Sequence, residues 1–116
     1  MNARLSLTLL FCAALGAQQP KEAPVFDGQD YKKYWMDVCA RCHGVNGNGR
    51  DNAGAQLPDA GFDFTDSRKA NRKKDDDWVR ITLKGKDKMP KFEGKMTEEQ
   101  IRRMIAEIIR PFGARH

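Results

Sequence analysis

The sequence is poor in the residues from which metal and thiol sites are usually built. Its 116 residues hold three cysteines and two histidines. Beyond Cys39, Cys42 and His43, only Cys12 and His116 remain, at opposite ends of the chain, so a four-ligand zinc site is hard to complete. No alternating or β-branched run precedes Cys39, so the strand-then-helix setting of a redox dithiol is missing as well. The apolar stretch at 5–15 is too short to cross a bilayer. The net charge of +5 is spread rather than gathered into the basic block of a nucleic-acid arm. Apolar side chains are scarce too: charged residues make up 32% and the mean hydropathy is -0.73. A chain this short is already limited in the surface it can bury, so its core is short of material.

What is there is one pentapeptide, Cys39-Ala40-Arg41-Cys42-His43. It is a single C-x-x-C-H, the attachment pattern for c-type haem. Thiols three positions apart lie on adjacent turns of a helix and reach two vinyl groups on one edge of a porphyrin. The histidine that follows is held under the ring, where its imidazole binds iron as an axial ligand. A covalently attached haem would also supply the missing core. A redox dithiol and half of a zinc site are the competing readings of C-x-x-C.

Around the motif, residues 1–17 read as a secretory signal peptide: Arg4, then the apolar stretch, then small Ala14 and Gly16. Lipidation at Cys12 would be the other use of this leader, but bulky Phe11 stands where a small residue is expected. An exported, periplasmic protein is the expectation, and export fits haem attachment outside the cytoplasm. Residues 18–26, with Pro20 and Pro24, read as a flexible tether ahead of a single domain at 27–116. Tyr31, Tyr34, Trp35 and Val38 follow helical spacing, which predicts a first helix over about 28–40 capped by Asp27 or Asp30. The glycines from Gly44 to Gly54 predict an irregular loop folded tightly past the haem edge, with Leu57, Phe62 and Phe64 as packing candidates. The run 67–77 reads as a solvated charged face. Its three aspartates introduce a short helix from Trp78 that stops at Gly85. Thr97 and Gln100 form a capping box for a last helix over 97–110, stopped by Pro111 and Gly113.

A histidine alone leaves the iron one position open. The candidates for the sixth ligand are Met36, Met89, Met96, Met104 and His116. Met36 and Met104 fall on predicted helices. Met89 lies in a loop and is followed by Pro90, which stiffens the chain and removes a competing N–H. Met89 is therefore chosen.

Over roughly 28–110 the chain resembles the small class I c-type cytochromes of bacteria. The resemblance rests on the first helix with C-A-R-C-H-G, the Gly47-Asn48-Gly49 loop, Asp63-Phe64-Thr65-Asp66, Met89-Pro90-Lys91-Phe92, and Thr97 to Ile101 opening the last helix. It implies an all-α cytochrome c fold: three to four short helices around one haem c, with the terminal helices crossing. It implies Cys39 and Cys42 as thioether anchors and His43 and Met89 as axial ligands. Tyr31 stands where the family often has glycine, and Glu107 where it tends to have an aromatic residue, so the crossing is expected to repack with Trp35 against Ile105 and Ile108. The proline carbonyl that fixes the imidazole has no clear counterpart, and Pro58 and Ala55 are the candidates. The expected function is single-electron transfer by a monomer. Lys84, Lys86, Lys88, Lys91 and Lys95 around Met89 offer a basic face to acidic redox partners, or serve only solubility. A haem enzyme or gas sensor with a labile sixth ligand is the alternative.

Overall fold

Asp30 starts the first helix. Its carboxylate accepts a hydrogen bond from the Lys33 N–H at 2.9 Å, serving a donor that has no partner inside the helix. The computed structural model of the chain describes residues 22–114. The expected leader at 1–17, the tether residues 18–21 and His116 lie outside the described residues. Helix α1 covers 31–43. It opens as α-helix at Tyr31–Tyr34, widens to a π-helix at Trp35–Cys39, and closes as α-helix at Ala40–His43 before Gly44. The expected end at Ala40 is therefore too early: the C-x-x-C-H residues form the helix's final turns. Tyr31, Tyr34 and Trp35 are buried and Val38 is packed against them, so the apolar stripe is core.

The segment read as a tether is docked from Glu22 onward. Ala23 and Phe26 are buried, and the Phe26 N–H donates to the Lys95 carbonyl at 2.9 Å. The Phe26 ring lies 4.7 Å from both Tyr31 and Tyr34. The Tyr34 hydroxyl donates to the Pro24 carbonyl at 2.6 Å, and burial, with Cys39 nearby, pushes its pKa up to about 12. A proline-bearing stretch without periodicity gives no local signal. One aromatic anchor and two hydrogen bonds hold it all the same.

Helix α2, Ser67–Asn71, was expected as bare charged surface. Asp66 caps it, accepting from the Lys69 N–H at 3.2 Å, and only Ala70 is buried. Helix α3, Asp75–Lys84, carries its three aspartates inside the first turn, where they oppose the positive helix end, with Lys74 at the cap position. It buries Trp78 and Val79 and stops at Gly85, φ 77, as expected. Helix α4 covers 98–113. Its capping box is complete: Gln100 N–H donates to Thr97 Oγ1 at 3.1 Å, and Thr97 N–H donates to Gln100 Oε1 at 2.9 Å.

Pro111 does not stop this last helix. The element runs as α-helix at Glu98–Met104, π-helix at Ile105–Ile109 and α-helix at Arg110–Gly113. Pro111 enters where the ladder returns from the wide to the ordinary turn, at the first residues of the new segment, where a missing N–H costs least. Extending the helix brings Phe112 into the core, its ring 5.2 Å from Trp35. The aromatic residue absent at Glu107 is thus supplied five residues later. Trp35 and Ile105 are buried in one core with Ile108 packed against it, and Trp35 also has ring neighbours in Phe112, Phe64 and His43. Arg103 adds a second link between α1 and α4, its guanidinium 4.9 Å above the Tyr31 ring.

Arg110 ties α2, α3 and α4 together. Its guanidinium donates to the carbonyls of Ala70 at 2.8 Å and Lys73 at 2.7 Å, and to Asp75 Oδ1 at 2.7 Å, while lying 4.0 Å from the Trp78 ring centre. Arg110→Ala is expected to cost about 2–3 kcal/mol, read as a lower urea midpoint at unchanged slope. Arg110→Lys should recover little, because an ammonium is not a flat fork. A wild-type midpoint in the alanine variant would refute this role. Among the described residues the secondary structure is otherwise two isolated bridges, Arg50 with Gln56 and Lys86 with Met89, so the fold class is all-α.

Candidate functional site

The site is built on the closing turns of α1. Cys39 ends the π segment, and Cys42 and His43 sit in the last α turn. Both thiols are free and partly exposed. Burial pushes the Cys39 thiol up to about 12. A redox dithiol needs the reverse, a thiolate favoured at a helix N-terminus. Among the described residues, no three His, Cys, Asp or Glu side chains converge as a metal ion would require. Two thiols and an imidazole spread along a helix end suit anchors for an extended flat group.

His43 packs beside Phe64, ring centres 5.0 Å apart, and Trp35, 5.8 Å apart. Two buried side-chain nitrogens lack a hydrogen-bond partner among the described residues, and they are neighbours: His43 Nδ1 and Trp35 Nε1. Such groups are costly and call for an explanation. The backbone at Gly61 explains the approach to His43. A Cβ at Gly61 would stand 2.3 Å from both Nδ1 and Cε1, so only glycine fits. Burial pushes the imidazole pKa below its ordinary range. The nearby Phe62 backbone acts on the ring in the opposite direction.

This corrects the expected supporting carbonyl. Ala55 accepts instead from the Asp51 N–H at 2.8 Å, in a tight turn beside the Arg50–Gln56 bridge, and Pro58 is exposed. The loop then returns to α1, where the Gly61 N–H donates to the Cys42 carbonyl at 2.8 Å. Gly49 donates to the His43 carbonyl at 2.8 Å, and Phe64 to Gly47 at 2.8 Å. The glycine-rich loop is therefore stitched to the motif. Gly47, at φ 74, lies so close to Phe112 that a Cβ would meet its ring at 2.4 Å. Of the expected packing residues, Phe64 is buried, Phe62 is partly buried against it, and Leu57 lies outside the core cluster.

Met89 closes a short turn, its N–H donating to Lys86 at 2.8 Å and its carbonyl accepting from Lys86 at 3.1 Å. It is partly buried against the core. Met96 and Met104 are locked inside, and Met36 is exposed. Met89 is thus the described methionine that sits both on a loop and at the core's margin. The lysines around it are less free than expected. Lys84 pairs with Glu93, Lys88 with Asp59 and Lys95 with Glu22, while Lys86 and Lys91 make no ion pair among the described residues.

Residues 27–106 match the family described as cytochrome C oxidase, cbb3-type, subunit III. The chain belongs to this family. Among solved structures, this c-type cytochrome is similar to the KustC0563 c-type cytochrome, with 26% identity and a TM-score of 0.56 over 72% of this chain and 98% of that one. No curated protein matches the chain. Membership implies a covalently bound c-type haem and electron transfer rather than catalysis. The residues present fit that group: thiols at the attachment spacing, an imidazole whose Nδ1 is sealed by backbone, and a glycine where any side chain would strike the ring. No helix among the described residues is long and apolar enough to cross a membrane. Two contributors were not foreseen, Gly61 and Phe112. Nothing in the spacing marks either one, since each acts through a contact distant in sequence.

Proposed function

We propose that this protein is an exported monohaem c-type cytochrome that carries single electrons between protein partners. Cys39 and Cys42 are the thioether anchors, and His43 and Met89 the axial ligands. The observation that carries the reading is His43, whose Nδ1 is turned into the Gly61–Phe62 backbone, which leaves Nε2 as the nitrogen for iron. A bound haem supplies one iron that takes up and returns one electron. The chain's own task is to keep the surroundings of that iron unchanged between the two states. Cys39 and Cys42 fix the group to α1. The 61–62 backbone holds the imidazole plane. Met89 is presented by a short turn and stiffened by Pro90. With both ligands kept in place, little rearrangement accompanies transfer.

Among the described residues Lys86 and Lys91 remain as the unpaired cations beside Met89, and they favour an acidic partner by speeding encounter more than by tightening it. The decisive test is an optical spectrum of both redox states with a pyridine haemochrome assay, on protein made with the bacterial haem-attachment machinery. Covalent haem c and a ferric thioether-to-iron band are expected. Absence of attached haem would sink the reading. Attached haem without that band would favour an open-site enzyme or sensor.

A further inference from the structure

Two loops carry the supports of the proposed ligands, and neither is part of α1. The first, 44–66, brings Gly61 against His43. The second carries Met89 at the end of the 86–89 turn. Among the described residues, one ion pair is the only hydrogen bond or salt link between residues 44–66 and residues 85–96: Lys88 Nζ to Asp59 Oδ1 at 2.5 Å. Lys88 directly precedes Met89, and Asp59 lies two residues before Gly61. The pair therefore joins the support of one axial position to the support of the other.

The backbone around the pair is unusual. Asp59 and Asp87 are the described non-glycine residues with positive φ, 55 and 53. Aspartate tolerates this region better than most side chains, yet it still costs energy. One of these bends presents the Asp59 carboxylate and the other presents Lys88. The base of the second loop is anchored separately: Phe92 N–H donates to Thr82 at 2.9 Å and Glu93 N–H to Leu83 at 3.2 Å, both on α3. Among the described residues, the backbone of the Met89 turn bonds only to itself, through Lys86. Its hold on the rest of the molecule is thus packing plus this one pair.

We infer that the Asp59–Lys88 pair is a latch that keeps the Met89 turn closed on the site and slows the departure of the Met89 side chain from iron. The inference rests on the Met89 reading above. The pair is open to solvent, with side chains 47% and 77% exposed, so salt weakens it and its effect is modest. Release of Met89 should quicken roughly two- to fivefold when the pair is broken.

The experiment uses the full haem-loaded protein and follows carbon monoxide binding to the ferrous form, which must wait for Met89 to leave. Asp59→Asn and Lys88→Gln should each speed binding by about two- to fivefold, since Asn keeps the backbone preference and removes only the charge. Lys88→Glu should speed it further, and Lys88→Arg should leave it near wild type. The double variant should equal the single ones, and added salt should quicken the wild type but not the double variant. Equal, salt-independent rates across all of these, with the ferric thioether band intact, would overturn the latch and leave Met89 as ligand. A wild type that lacks the band, or binds carbon monoxide without delay, would overturn the Met89 assignment and the latch together.

Discussion

Met89→Ala should leave haem attached, abolish the ferric thioether-to-iron band and admit carbon monoxide to the ferrous form. On the proposed reading attachment depends on Cys39 and Cys42, which belong to α1 and, among the described residues, share no hydrogen bond with the Met89 turn. Loss of the thioether should lower the reduction potential, because methionine favours the ferrous state. Met89 is only partly buried, so the stability cost should fall below that of truncating a fully buried methionine, to about 1–2 kcal/mol. Met104 gives the contrast. It is 3% exposed, so Met104→Ala should cost about 2–5 kcal/mol and keep the band. Met36→Ala, on an exposed site, should change neither. The pattern separates a ligand from a packing residue, since one loses spectrum and the other loses stability. A band that survives Met89→Ala would place the sixth ligand elsewhere.

The parts of this fold that could be read in advance are those whose physics is local. Thr97 and Gln100 satisfy each other's backbone within one turn, so the start of α4 is written in four residues. Gly85 ends α3 because its backbone turns left-handed there, as glycine permits. C-x-x-C-H is local as well: its spacing sets the two thiols on adjacent helical turns, although the first helix was expected to end at Ala40 and runs on to His43. What escaped depends on partners far along the chain. Phe26 is seated by Tyr31, Tyr34 and the Lys95 carbonyl, and nothing in 18–26 announces it. Pro111 reads as a stop because a proline normally breaks the ladder, yet the π segment before it lets the helix continue to Phe112. Helix α2 was hidden by its charge. Ala70 is its one buried residue, and the carbonyl of that residue is held by Arg110, forty positions away. The expected basic face was overcounted for the same reason, since Glu22, Asp59 and Glu93 are brought to it only by folding.

Gly61→Ala should disturb the setting of the His43 ring directly. The new Cβ would lie 2.3 Å from two atoms of the His43 ring, a distance that Cβ contacts do not sustain. Either the imidazole rotates or the loop withdraws. Withdrawal would break the bond from the Gly61 N–H to the Cys42 carbonyl, so both routes reach the haem motif. Overpacking of this kind costs about 1–3 kcal/mol. Gly61 has an ordinary φ, so the substitution carries no backbone penalty, and the loss reports the contact alone. Gly54 is the matched control. Its φ is 85 and nothing lies within 4 Å of its Cβ position, so Gly54→Ala carries backbone strain of about 1 kcal/mol and no contact. The two variants should therefore lose comparable stability by different causes. Only Gly61→Ala should shift the reduction potential and the paramagnetically shifted proton resonances of His43. If both variants left those signals unchanged, the 61–62 backbone would not be what orients the imidazole, and the packing of Phe64 and Trp35 on the ring would have to do so instead.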